Sequence, residues 1–286
     1  MADITPQERF RGCLLAGAAG DALGAPVEFM PRADILRHFG TAGITAFALG
    51  YERVGAITDD TQMTLFTAAG LLAAWCGDGD VVRATARSYL AWLRTQDEWP
   101  YDPLLAAEEP SGWLWQQPEL HHRRAPGMTC LTALSGMPVL GALAQNNSKG
   151  CGGVMRMAPV GLYAAAQRWS PAQTFQTGTA LATLTHGHPA GSLTAGVLAV
   201  LVQALCAGET LADGLARAKP LLRARAGEVE QGVADWWTAF QEADEEQRKQ
   251  MIQAAEQRPD SGDAPAKKRR RRRKKKTGAA DKGVAE

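Results

Sequence analysis

Alternation of apolar and polar residues, the mark of a half-buried strand, is almost absent from this chain, whereas helix starts recur along it. Thr5-Pro6-Gln7-Glu8 has the spacing of a capping box, with proline in the first helical turn. A helix then runs through RFRGCLLAGAAGDALG, whose small residues let a neighbouring backbone approach closely. TQMTLFTAAGLLAAW continues helically after Asp60, and Asp78, two residues before the start of DVVRATARSYLAWLRTQ, is expected to open the next helix, with apolar residues at helical spacing. Residues 97–127 hold five prolines and three tryptophans, the composition of a long surface loop with short helices. Further helices are expected over about 191–207 and 210–224, then a polar amphipathic stretch over about 228–257. The expectation is an all-α fold, a single orthogonal helical bundle over 1–257, with no internal repeat.

Charge divides the chain in two. Residues 267–276 read KKRRRRRKKK, and removing these ten from 31 Lys and Arg leaves 21 basic against 30 acidic residues, a body near −9. Like charges in that density cannot pack together, so residues 258–286 are expected to form a disordered basic tail. Such a run would hold nucleic-acid phosphates non-specifically or an anionic membrane surface, or be a solvated tail or a translation artefact. It has no interleaved aromatics with which to read bases.

Five scattered cysteines without a C-x-x-C pair argue against a disulfide scaffold or a zinc knuckle and suit a reducing cytoplasm. The N-terminus lacks the basic and apolar regions of a secretory signal. The most apolar run, Leu193 to Cys206, is short for a bilayer span and contains Gln203, so no transmembrane segment is expected.

The string ITDDTQM, residues 57–63, crowds two carboxylates into one helix start. Asp and Thr are good N-caps, but one acid suffices for that task. Two adjacent acids repel each other unless a cation or a proton lies between them. Locally, capping and a metal site both remain open. Ser148-Lys149-Gly150-Cys151-Gly152-Gly153-Val154-Met155-Arg156 is a glycine-rich turn entering a helix, and its backbone N–H groups suit phosphate oxygens as well as a plain turn. No G-x-x-x-x-G-K-[ST] is present, which removes the support for a nucleotide triphosphatase loop. His186-Gly187-His188 flanks a helix and lacks a third ligand nearby, so it reads as a loop rather than a transition-metal site. His121-His122-Arg123-Arg124 reads as an exposed polar loop, and Trp113, Trp115, Trp236 and Trp237 as packing residues rather than adenine-stacking platforms.

Together, GCLLAGAAGDALGAPVEF, TDDTQM, GCGGVMRMAPVGL and THGHP resemble, in order and spacing, the signatures of the ADP-ribosylglycohydrolase family, dinitrogenase-reductase-activating glycohydrolase type. The resemblance covers roughly residues 8 to 255. It implies an all-α domain, a pair of Mg²⁺ or Mn²⁺ ions beneath an ADP-ribose cleft, and hydrolysis of the bond joining ADP-ribose to a protein side chain or small acceptor. Thr58, Asp59 and Asp60 match the family's metal-holding turn, hard oxygen donors suited to hard cations. Glu28 matches its acidic residue at the ribose and, with Asp60, is the candidate for proton transfer. Ser148 to Gly153 matches the diphosphate-binding loop, and His186 a histidine of the cleft. The family's late G-D-x-D-[ST] segment has no counterpart; Asp260-Ser261-Gly262-Asp263 is nearest, with the wrong spacing. Half the ligand set predicts one ion or weak binding. Three accounts are compatible with that gap: a truncated or frame-shifted member, a non-catalytic ADP-ribose binder, or ligands supplied by another chain.

Overall fold

A computed structural model describes residues 4–77, 79–225 and 227. The stretch 228–257, the basic run, Asp260, Asp263, Trp236 and Trp237 lie outside the described residues.

The described chain is all-α, as the periodicity predicts. Its helices are α1 (Pro6–Gly24), α2 (Arg32–Phe39), α3 (Asp59–Cys76), α4 (Val81–Thr95), α5 (Pro103–Ala107), α6 (Met128–Ser135), α7 (Ala158–Gln167), α8 (Pro171–Thr183), α9 (Pro189–Cys206) and α10 (Leu211–Arg223). Two-residue strands, β1 (Leu49–Gly50) and β2 (Arg53–Val54), pair antiparallel as a hairpin between α2 and α3.

Local chemistry sets the boundaries. Thr5 and Glu8 form the expected capping box at the start of α1, and Ser170 with Gln173 and Thr210 with Asp213 repeat it at α8 and α10. The cap of α4 is Asp80, whose side chain accepts from Arg83 N, rather than the expected Asp78; Asp78 lies outside the described residues. Residues 97–127 form the expected loop, with α5 and a 3₁₀ turn at Pro118–Leu120. It is not wholly a surface element, because Leu105, Leu114 and Leu120 are buried in the core.

Glycines allow the helices to pack closely. A Cβ on Gly70 of α3 would lie 2.5 Å from Thr85 Cα of α4, and one on Gly161 of α7 would lie 2.5 Å from Ala199 O of α9. The main core gathers Met63, Phe66, Leu71, Tyr89, Trp92, Leu134, Met157 and Leu181, and a smaller cluster of Phe175, Leu193, Val200 and Ala218 lies under α10. Helix α9 starts earlier than expected, and its 18 residues are long and apolar enough to cross a membrane by length and composition alone. Half of that stretch is buried inside the bundle, where α9 packs against α7, α8 and α10 as a core helix.

Buried polar groups tie the loop to the bundle. The Gln62 carboxamide oxygen accepts from Trp92 Nε1 at 3.1 Å and Gln96 Nε2 at 3.2 Å. Its Nε2 donates to His122 O at 2.9 Å. One side chain thus fixes α3, α4 and the segment leading to α6.

Candidate active site

The acid pair lies where α1 ends and α3 begins. Asp21, near the C-terminal end of α1, accepts from Thr58 N at 2.8 Å, Thr58 Oγ1 at 2.7 Å, Thr61 N at 3.1 Å and Thr61 Oγ1 at 2.5 Å. A carboxylate near a helix C-terminus is unfavourably placed for its own helix, and here it serves the orphan donors of the next one. Thr58 Oγ1 also accepts from Asp60 N at 3.3 Å. Capping of α3 is therefore done by Thr58 and Asp21, and neither Asp59 nor Asp60 is needed for it.

The two acids are consequently free for other work. Asp59 is buried, and its Oδ2 accepts from Gly127 N at 3.0 Å. Burial, with Asp60, Glu28 and Asp21 around it, pushes its carboxyl up to about 8, against the lowering effect of the Gly127 bond. Asp60 has no hydrogen-bond or ion-pair partner for its carboxylate among the described residues, and burial with Asp21 raises it to about 6. Glu28, on the turn after α1, is raised by burial and by Asp60 and Asp21. None of these four acids enters a salt bridge among the described residues. Arg124 feels the charge of Asp21 but forms no salt bridge with it, and gives its Nη1 to Ile57 O at 3.3 Å.

Arg124 corrects one expectation: it is buried rather than part of an exposed loop, and its carbonyl accepts from Asp59 N at 3.1 Å. Trp113 corrects another, being 63% exposed rather than packed. Trp115 is partly buried, its ring 4.6 Å from His121.

The glycine-rich turn adjoins the acids through the start of α6. Gly127 binds Asp59, and two residues on, Thr129 Oγ1 lies 3.1 Å from Ser148 Oγ. The Asn146 side chain fixes the turn from the other side, accepting from Ser148 N at 3.1 Å and Gly187 N at 3.0 Å, and donating to Thr185 O at 2.8 Å. Cys151–Gly153 forms one 3₁₀ turn, headed by Gly150. The Gly152 N–H has no acceptor among the described residues, and Lys149, three residues earlier on the same turn, is exposed.

Packing beneath the turn explains its glycines better than an open backbone does. A Cβ on Gly152 would lie 2.9 Å from His186 Cε1 and 3.1 Å from Cys130 Sγ, and one on Gly153 would lie 2.9 Å from Gly191 O. His186 is 2% exposed, under the turn, so it supports the turn and does not face an open cleft. Burial and Arg156 hold it neutral, lowered to about 4, and Thr185 Oγ1 lies 2.8 Å from its Nδ1. His188 caps α9 through Nδ1 to Ala190 N at 2.9 Å. Arg156 is fully buried; its guanidinium lies 4.3 Å from the Tyr89 ring centroid and donates to Thr185 Oγ1 at 2.6 Å. It has no carboxylate partner among the described residues.

The arrangement thus brings together Glu28, Thr58, Asp59, Asp60 and Ser148 to Gly153, and places His186 one layer below. Asp21 and Gly127 bond directly to the candidate residues, and neither was itself a candidate in the sequence. Asp21 alone had a visible signal, an acid inside GDALG with no cation at helical spacing. Two cavities, of 620 Å³ beside α3 and α4 and of 750 Å³ between α1, α7 and α9, contain none of these residues. None of the five cysteines forms a disulfide.

The donors are oxygen atoms of carboxylates and a hydroxyl, which suits a hard divalent cation in kind. In number they fall short: among the described residues no three His, Cys, Asp or Glu side chains form a group ready to hold a metal ion.

Comparison with known proteins agrees with the motifs. The profile of the ADP-ribosylglycohydrolase family matches residues 2–271, beyond the expected boundary at 257 and into the basic run. An ADP-ribosyl-[dinitrogen reductase] glycohydrolase from Rhodospirillum rubrum is 35% identical over 96 residues. That stretch is 31% of this chain and spans only 30% of the relative's length. With the profile matching all the described residues and extending beyond them, the chain belongs to the ADP-ribosylglycohydrolase family.

Proposed function

We propose that this protein hydrolyses the glycosidic bond between ADP-ribose and a modified protein side chain or small acceptor. The observation that carries the reading is the cluster of Glu28, Asp59 and Asp60 around Asp21, which enters no salt bridge among the described residues; the first three carboxyls are raised by burial and neighbouring carboxylates, beside a glycine turn with an exposed lysine. A divalent cation relieves that repulsion, which an isolated set of carboxylates relieves only by taking up protons.

Thr58, Asp59 and Asp60 would hold Mg²⁺ or Mn²⁺, one ion with the remainder of its shell left to water. Bound there, the ion would supply positive charge against developing negative charge and lower the pKa of water. Asp60, without a hydrogen-bond partner, is placed to take a proton from the attacking water. Glu28, whose carboxyl burial and the neighbouring Asp60 and Asp21 raise above its ordinary value, would give a proton to the leaving group as its bond to the anomeric carbon breaks. Lys149 and the Gly152 amide offer charge and a donor to the diphosphate. His186, neutral below, keeps the turn in place. A cytoplasmic setting suits five cysteines without a disulfide.

The incomplete donor group favours a second reading, a non-catalytic ADP-ribose binder. Release of free ADP-ribose from an ADP-ribosylated protein separates the two, measured with and without Mg²⁺ or Mn²⁺ and in Asp60→Ala. Metal-dependent release that disappears in the variant supports the hydrolase. ADP-ribose affinity without release, insensitive to chelation, replaces it with the binder. The basic run 267–276, outside the described residues, would add non-specific nucleic-acid binding in either case, read as a steep loss of affinity with salt.

A further inference from the structure

Backbone strain is concentrated around the acid cluster. Five non-glycine residues among those described adopt positive φ, and three border the cluster: Tyr51 at φ 51°, Glu52 at 63° and Ala125 at 49°. Tyr51 and Glu52 are the two central residues of the β1–β2 hairpin, whose register pairs Leu49 with Val54 and Gly50 with Arg53. A two-residue hairpin with both centres left-handed normally carries Asn-Gly or a similar pair. A bulky aromatic in that conformation is a genuine outlier, and such outliers persist only where the surroundings enforce them.

The surroundings here do so. Gly50 lies against Pro26, where a Cβ would meet the proline ring at 3.3 Å, two residues before Glu28. Arg53 Nη1 donates to Glu119 Oε2 at 2.6 Å, tying the second strand to the loop that leads to Gly127. The hairpin therefore lies against the segment that carries Glu28 and, through an exposed ion pair, is tied to the loop whose Gly127 binds Asp59. Tyr51 stays 37% exposed at its tip. Its phenol is pushed up to about 12 by burial and by Glu28, Asp59 and Asp21, so it faces those carboxylates and keeps its proton.

We propose that Tyr51 is a substrate-contacting residue, held at the mouth of the acid cluster by a strained hairpin so that its hydroxyl donates to the ribose of an ADP-ribose conjugate. This rests on the functional reading above. An Asn-Gly hairpin would be easier to form, and a chain that keeps Tyr-Glu there gives up local stability to place a phenol where four acids gather.

The test uses Y51N/E52G and Y51F, with thermal melting and titration by free ADP-ribose as readouts. The double variant should melt roughly 2–4 °C higher, the scale of a small gain in a chain of this length. Its affinity for ADP-ribose should fall about tenfold, the worth of one buried hydrogen bond. Y51F, which keeps the ring and the strain, should melt with the native chain and bind about three- to tenfold more weakly. Affinity equal to the native chain's in both variants overturns this proposal and leaves the functional reading standing. A double variant that melts no higher overturns the strain argument. A native chain that does not bind ADP-ribose overturns both.

Discussion

The two halves of the site are finished to different degrees. In the turn half the side chains that hold the backbone are satisfied inside the protein, leaving only the Gly152 N–H and Lys149 over: Asn146 bridges the turn to Thr185 and Gly187, Thr129 meets Ser148, and neutral His186 fills the space beneath Gly152. In the acid half, Asp21 alone is saturated, by four hydrogen bonds from Thr58 and Thr61. Asp60 has no partner among the described residues, and Asp59 has one. A buried neutral network costs little to keep, whereas unpartnered buried carboxylates are unstable against protonation or cation binding. The contrast teaches that the turn half is a rigid platform and the acid half is arranged for something from outside.

Substitutions can break this contrast from either side. The largest effect is expected at Asp60, where Asp60→Ala should lower the rate of ADP-ribose release at least a hundredfold, about 3 kcal/mol of transition-state stabilisation. Melting of the metal-free variant should be unchanged or higher, since the lost carboxylate stabilised nothing in the chain itself. On the platform, Gly152→Val should act oppositely. Its side chain would collide with His186 and Cys130, destabilising the fold by roughly 1–3 kcal/mol in denaturant titration.

Asp59 gives a prediction with a sign set by pH. Its carboxyl is raised from 3.8 to about 8, and that of Asp60 from 3.8 to about 6, so the folded metal-free protein holds more protons than the unfolded chain between those values. Stability is then full below about pH 4 and is lost as pH rises through about 6 and then about 8. Asp59→Asn keeps an oxygen for Gly127 N without the charge. It should stabilise the metal-free protein near pH 8 by roughly 1–2 kcal/mol, with no gain near pH 4. The smallest effect is expected at Ser148→Ala, about 0.5–1.5 kcal/mol for the bond to Thr129, with a matching small loss of ADP-ribose affinity.

Much of this was legible in the sequence because it is local. Capping boxes, the helix after Asp60 and the turn at 148–153 are set by residues within a few positions of each other. What escaped is what tertiary structure assembles. Asp21 reads as one acid on a small-residue helix until α1 is seen to end against α3, 37 positions on. Gly127 looks like the end of a proline-rich loop, and Gln62 like one polar residue of TDDTQM, until Trp92, Gln96 and His122 close around it. Tyr51 was invisible because a two-residue hairpin without Asn or Gly carries no turn signal. His186 was placed at the right turn and on the wrong side of it, since sequence order does not tell the roof of a site from its floor.

The most direct test of the account is a calorimetric titration of Mn²⁺ into the metal-free chain at about pH 6 and about pH 8, beside Asp60→Ala. The account predicts saturable binding in the native chain, proton release larger at the lower pH, tighter affinity at the higher one, and loss of the signal in the variant. Absence of saturable binding at both pH values, or binding that Asp60→Ala leaves intact, would contradict it.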